Sequence, residues 1–389
     1  MFRRLLPLAV ATFAVTTDSL VIAGLLRPIA DTLDVSVSTA GQLVSVFSLT
    51  FAIAAPVLGA ATANLDRRTV LLLAIGVFVL GNVVAAVGTE FAIVMAARVI
   101  SALGAALISS IAMATASALA PPDKQGRALA LVTAGMTVAT TMGVPLGTLI
   151  GGADWRITLW AVAGLGTLAG AGIWLGLPKV ELPVAPLRDR LKPLGDPGIL
   201  AILAVTLMIL TSGYTLYTYI GVATDAATGG TASGLMAVLI AYGVGSILGN
   251  VISGFLTDRY RPVRVLLVGL VMLTAILAIT PLVSAAGLFL TMAWATTWGI
   301  SGWLTGLPQQ HRLVTKAPES SAILLGLNAS TLHLGIAIGG GIGGLILNWG
   351  NTVLLGLMSA AIVAIGLAIT LVSTRGRVTE PEPVPASAD

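Results

Sequence analysis

The hydrophobic positions of this chain run in about a dozen long stretches, each closed by a short polar break. Stretches of about 20 apolar residues are long enough to cross a bilayer as α-helices. The pattern predicts membrane helices at 5–27, 40–63, 70–88, 91–119, 128–151, 157–177, 198–222, 232–256, 263–284, 286–307, 321–347 and 351–373. An even number of crossings puts both termini on one side. The first stretch imitates a secretion signal, with Arg3 and Arg4 ahead of an apolar run. A cleaved signal has an apolar core of about 7 to 15 residues. This run continues to about Leu26 and reads as a retained helix.

The charges in the polar breaks give the orientation. Of the 20 Lys and Arg residues, 17 fall on the side of the termini. Arg156, with Arg27 near it, marks the other side, and Arg98 lies inside a stretch. Basic loops stay in the cytoplasm, so both termini are expected to be cytoplasmic. The longest break, 178–197 (PKVELPVAPLRDRLKPLGDP), is Pro-rich and bisects the chain. It divides a six-helix half (1–177) from a second (198–373). A Pro-rich, acidic tail (374–389) is expected to be disordered. The halves echo each other weakly: a basic turn follows Gly59 after the second helix and Gly254 after the eighth. Parallel six-helix repeats with a site near the midplane are a recognised transporter plan.

Composition agrees. The chain is 57% hydrophobic and only 9% charged, against about 25% charged in a soluble domain. No cysteine is present, which excludes disulfides and thiolate chemistry, and two histidines argue against a His-based metal centre. There is no Walker motif, and the sparse intramembrane polar groups form no nucleophile–base set, so neither direct ATP use nor enzymatic catalysis is expected. No cofactor is implied.

Two charges sit deep in the stretches. Asp18 lies 13 residues after Leu5, and Arg98 lies seven residues after Phe91 on a helix of opposite direction. At 1.5 Å per residue that is roughly 20 Å above one boundary and roughly 10 Å below the other of a ~30 Å core, the same depth. A facing pair is allowed. One reading is a structural ion pair or two separately satisfied groups. The other is a proton site, since burial disfavours an ionised carboxyl and a nearby cation favours it.

Four passages carry a resemblance. TTDSLVIAGLLRPIA (16–30) resembles a first-helix motif with an acidic residue ahead of G-L-L-x-x-I-A, Asp18 standing where Glu is common. AARVISALGAA (96–106) is similar to a fourth-helix motif with an embedded arginine, here with Leu103 before Gly104. GMTVATTMGVPLGTLIGGADWR (135–156) resembles a fifth-helix G-x-P motif among spaced glycines. A loop motif, G-x-x-x-D-R, is intact at Gly254, Asp258 and Arg259, whereas Asp66, Arg67 and Arg68 follow Gly59 at another spacing. Over 5–373 the chain resembles the major facilitator superfamily, in its twelve-helix drug:proton antiporter group, nearest to bacterial sugar-efflux and chloramphenicol-resistance exporters.

That resemblance implies an all-α membrane fold of two pseudo-symmetric halves, with helices one, four, seven and ten around a central cavity. Tyr214, Tyr217, Trp294, Trp298 and His333 are then candidates for the cavity wall. The aromatics could equally face lipid, and a lone membrane histidine is more often an interhelical hydrogen-bonding group. Gly143, Pro145, Gly147 and Gly151 form a candidate hinge or seal, for which Gly245, Gly249 and Gly254 offer a possible partner face; ordinary helix packing is the alternative. Asp66, Arg67, Arg68, Gly254, Asp258 and Arg259 form a candidate cytoplasmic gate, against a plain solvated loop. Asn82, Asn250 and Gln42 read as structural.

The expected protein is a proton-coupled exporter of small amphipathic molecules, drug-like or sugar-like, in the cytoplasmic membrane. Its partners would be substrate, protons and lipid, with no nucleic acid, and it would work as a monomer. Uptake or facilitated diffusion of a sugar-like solute and a non-transporting membrane sensor are the alternatives.

Overall fold

A computed structural model describes residues 2–62, 64–121, 124–180, 188 and 191–375. The predicted tail beyond Arg375 and most of the 178–197 linker lie outside the described residues. All regular structure among the described residues is helical. Twelve helices carry the fold: α1 Phe2–Val21, α2 Val37–Ala61, α3 Arg67–Val87, α4 Phe91–Leu119, α5 Gln125–Ile150, α6 Trp155–Gly176, α7 Pro197–Tyr217, α8 Ala232–Arg259, α9 Pro262–Ala278, α10 Leu288–Leu304, α11 Ser321–Asn348 and α12 Val353–Arg375. Among the described residues ten segments are long and apolar enough to span a membrane, and α9 and α10 are shorter, at 17 residues each.

Side-chain caps set several helix starts. Ser36, Asp66, Asp154, Asp196 and Thr231 each accept a hydrogen bond from a backbone N–H in the first turn that follows. Such caps satisfy donors that the helix itself leaves free. Three ends depart from the apolar pattern. The first stretch breaks after Val21 into a 3-10 turn and a short helix, Leu26–Leu33. The end of the ninth stretch is a separate helix, Thr280–Ser284. After α10 the chain continues as a helix, Gly306–Lys316, where the hydropathy pattern predicts only loop. Its Gln, His, Arg and Lys residues end the apolar signal without ending the helix.

With twelve crossings the chain starts and finishes at one end, the termini end; the opposite end is the far end. The buried apolar core is not symmetrical between them. One cluster joins residues of both halves, and its first-half members (Leu20 to Val44, Ala85 to Ala97, Val144, Trp155 and Leu159) all lie toward the far end. Toward the termini end a second cluster draws only on α1–α6 and their flanks, and a third only on the second half. The two halves are therefore sealed together at the far end and hold separate cores at the other.

Candidate functional site

Asp18 and Arg98 pair. Arg98 Nη1 donates to Asp18 Oδ1 at 2.6 Å, and Nη2 donates to the Asp18 backbone carbonyl at 3.1 Å. Both residues are wholly buried. Close helix packing sets this up: a side chain on Gly81 would overlap the Ser101 backbone, and one on Gly104 would overlap the backbone at Ala74 and Phe78, so α3 and α4 touch backbone to backbone. Phe47 of α2 lies under the guanidinium, 4.3 Å from its carbon, and Asn82 of α3 neighbours the carboxylate. A cation over an aromatic face gains about 0.5 to 2 kcal/mol. Every group of this centre belongs to the first half.

The pair is incompletely satisfied. Among the described residues no group meets hydrogen-bond geometry with Asp18 Oδ2 or Arg98 Nε, and the Asn82 side chain is a further polar neighbour of the carboxylate. One carboxylate oxygen holds the arginine; the other has a free lone pair. A proton arriving at Oδ2 would neutralise the carboxyl without displacing the Oδ1 contact.

The sequence-predicted cavity aromatics form one group in the second half. Trp298 rings lie 5.2 Å from Trp294, 6.1 Å from Tyr217 and 4.9 Å from Tyr242, and Tyr214 packs on Tyr217 at 5.3 Å. Trp294 Nε1 donates to the Ile276 carbonyl at 2.9 Å. Trp294, Trp298 and Tyr217 are buried, and Tyr214 and Tyr242 are partly exposed. His333 stands apart on α11, stacked on Phe51 of α2 with ring centroids 3.6 Å apart, and its Nδ1 has no partner.

In α5, residues Ala139–Gly143 take a wider π-type turn just before Pro145. π turns and prolines are the usual causes of a local helix distortion. The glycines on this helix face their own half: Gly143 meets Thr17 and Phe13, Gly147 meets Val21 and Thr158, and Gly151 meets Leu25 and Thr158. The partner face expected on α8 is not the one used. Gly245 and Gly249 pack on Thr296 and Ile300 of α10 because their stripe turns inward to their own half. Gly243 is the α8 glycine that meets α5, at Thr140 and Thr141.

The seam at the far end joins Arg27 and Tyr219 to residues the pattern did not single out, among them Asp225, Ser38 and Asn348. Arg27 and Asp225 form an ion pair between the halves. Ser38 Oγ of α2 donates to Asn348 Oδ1 of α11 at 2.5 Å. Tyr219, just past α7, donates to the Gly340 carbonyl at 2.9 Å and lies 3.5 Å from the Ser38 carbonyl. Above it, a cavity of about 630 Å³ is lined from both halves, by Arg27, Asp31, Asp154 and Arg156 on one side and by Tyr219 and Leu235 on the other. The sequence signals are present but weak: Arg27 is one of two basic residues on the minority side, and Tyr219 is one of three tyrosines in the seventh stretch.

A family model of the Major Facilitator Superfamily matches residues 8–322. The chain belongs to the major facilitator superfamily. It is 36% identical over 342 residues to an uncharacterized MFS-type transporter, YbcL, of Bacillus subtilis (strain 168), covering 87% of each chain. It is 38% identical over 268 residues to a chloramphenicol resistance protein of Streptomyces lividans, covering 67% of this chain and 68% of that one. Its fold matches a bacterial homolog to the human lysosomal transporter Spinster, solved inward-facing and unoccupied, with a TM-score of 0.79, 17% identity and 96% coverage of both chains.

As a major facilitator protein it is a multi-pass membrane transporter and not an enzyme. The loop residues by which the superfamily resemblance marked a gate behave differently in the two halves. Asp66 caps α3 through Thr69 and also accepts from Val180 N–H at 2.8 Å, while Arg67 N–H donates to the Val180 carbonyl at 2.9 Å. Partial burial pushes the Asp66 carboxyl up, but hydrogen bonds from Thr69, Val180 and Arg68 outweigh it and hold its pKa below the usual carboxylate value. Arg67 is buried and reaches the Thr62 carbonyl; Arg68 reaches the Trp174 carbonyl. These contacts stay within the first half and clamp the start of the linker to it. In the second half, Asp258 and Arg259 are exposed, and Gly254 meets only Leu307.

Proposed function

We propose that this carrier is a proton-coupled exporter of small amphipathic molecules, working by alternating access, with Asp18 as the proton site and Arg98 as its counter-charge. The observation that carries the coupling is the unused Asp18 Oδ2 beside an arginine already held by Oδ1. Burial and the adjacent cation act on this carboxyl in opposite directions. A movement that shifts Arg98 or admits water alters that balance, and so loads or releases a proton. The moving bodies are residues 1–177 and 198–373, joined by 178–197, and one copy suffices. The basic residues argue for cytoplasmic termini, which makes the far end external. The Gly143–Gly151 segment with Pro145 acts as the hinge beside α1, and Asp66, Arg67, Arg68, Gly254, Asp258 and Arg259 edge the cytoplasmic gate.

The cargo reading rests on the aromatic group of Tyr214, Tyr217, Trp294 and Trp298, with His333 as a further candidate where α11 meets Phe51 of α2, and on the relative named for chloramphenicol resistance. Aromatic walls with few charges suit planar, weakly polar molecules. The test is efflux of chloramphenicol and of a panel of sugars from proteoliposomes under an imposed pH gradient. Gradient-dependent accumulation is expected for an amphipathic cargo. Flux indifferent to the gradient would reject the coupling, and binding without flux would reject export.

A further inference from the structure

We propose that Tyr219 is the bolt of the outer gate: its ring must leave a glycine-walled slot between α2 and α11 before cargo can exit. The inference rests on the alternating-access reading above. The slot has three walls without side chains. A Cβ at Gly41 of α2 would overlap the Tyr219 hydroxyl, one at Gly343 of α11 would overlap its ring edge, and one at Gly344 would again meet the hydroxyl. Tyr219 fills this space completely and has no solvent exposure. Its hydroxyl is tied to its own half through the Gly340 carbonyl at 2.9 Å, the tighter of its two bonds. The bond toward Ser38 in the other half is long, at 3.5 Å. The side chain is thus anchored on one moving body, which supplies Gly343 and Gly344, and pressed against the other at Gly41, with a strong tie to the first and a weak one to the second.

The glycines of α11 divide accordingly. Gly335, Gly339 and Gly343 face α7, meeting Leu210, Thr211, Thr215 and Tyr219. Gly340 and Gly344 face α2, meeting Ser45, Gln42 and Ser38. The first stripe binds α11 to a helix of its own half; the second lies on the seam that must part. Residues four apart share a helix face, so each stripe is a continuous rail. Tyr219 stands where the two rails converge, on the floor of the 630 Å³ far-end cavity and inward of the half-exposed Arg27–Asp225 pair.

The experiment uses spin labels on Thr32→Cys and Ser233→Cys, exposed positions at the far end of each half, in a chain that has no cysteine of its own. The ratio of open to closed distance populations is read in nanodiscs without cargo. Tyr219→Ala should raise it at least about ten-fold, and Tyr219→Phe, which loses only the hydroxyl, roughly two- to ten-fold. Gly41→Ala should also open the far end, because the new methyl and the tyrosine ring compete for one space. In a Tyr219→Ala background that methyl has nothing to displace, so Gly41→Ala should then add little. An unchanged ratio in Tyr219→Ala, or a Gly41→Ala effect that persists without the tyrosine, overturns the proposal. Should Tyr219→Ala not fold, Tyr219→Phe and Gly41→Ala decide it by the same reading. Opening of the far end without any cargo flux would reject export and leave the bolt standing.

Discussion

Asp18 and Arg98 meet through one 2.6 Å ionic hydrogen bond, which uses only one of the two carboxylate oxygens. Asp18→Asn preserves an oxygen for Arg98 and removes the titratable group. A neutral amide is cheaper to bury than a carboxylate, so the carrier should fold. Cargo exchange is expected to survive while uphill export under a pH gradient vanishes, read as efflux from proteoliposomes. Near-normal concentrative export by the variant would shift attention to His333.

Arg98→Ala leaves the same carboxylate buried without its cation. Removing one partner of a buried pair costs about 3 to 5 kcal/mol. A clear fall in the thermal midpoint in detergent is expected, with part of the loss recovered in the Asp18→Asn/Arg98→Ala double variant, where no lone charge remains. Equal midpoints for the single and double variants would contradict this.

The Arg27–Asp225 pair spans the seam but is half-exposed. Such pairs contribute about 0 to 1 kcal/mol, so Arg27→Ala should barely change stability. Its position matters more than its strength. Cysteines at 27 and 225, joined by a short thiol-reactive cross-linker, should arrest turnover, while either single cysteine treated alike should not. Continued transport by the cross-linked protein would show that the far end need not open.

Asp66 ties Val180 to the base of α3, and its pKa is held low. A carboxyl whose folded pKa is depressed contributes stability above its unfolded value, about 3.9, and loses it as pH falls through the lower folded value. Amide exchange at Val180 should therefore stay slow at and above about pH 4. Asp66→Ala should speed it across that whole range; an unchanged rate would mean the clamp depends on Arg67 alone.

Trp298 is buried among Trp294, Tyr217 and Tyr242. Trp298→Ala should cost about 3 to 5 kcal/mol through the void it leaves. Tyr242→Phe, at a partly exposed ring, should leave the thermal midpoint nearly unchanged while altering preference among cargoes. If both changes alter stability alike and preference not at all, the aromatic group is packing only.

The spans were legible because lipid demands them. The segment 91–119 coincides with α4, and most other ends fall within a few residues of those observed. Depth counting brought Asp18 and Arg98 level, and they do meet. The helix at Gly306–Lys316 was hidden because amphipathic helices at a membrane edge lose hydropathy before they lose helicity. The seam was hidden for a different reason. Ser38 and Asn348 are 310 positions apart, and nothing local in either segment names the other. The α5 and α8 glycines show the same limit: spacing reveals that a face is smooth, not which neighbour it receives.

The two glycine rails of α11 give one helix two mutational characters. An added methyl at Gly335 or Gly339 strikes a contact with α7 of the same half, so the damage is expected to fall on biogenesis and on the amount of protein that reaches the membrane. On the proposed alternating-access reading, the same methyl at Gly340 or Gly344 strikes a contact remade in every cycle, so the protein is expected to be present but slow. Neighbouring positions 339 and 340, about 100° apart around the helix, would then yield opposite phenotypes in a survey of transport and abundance. Such a survey maps the parting surface without any measurement of motion.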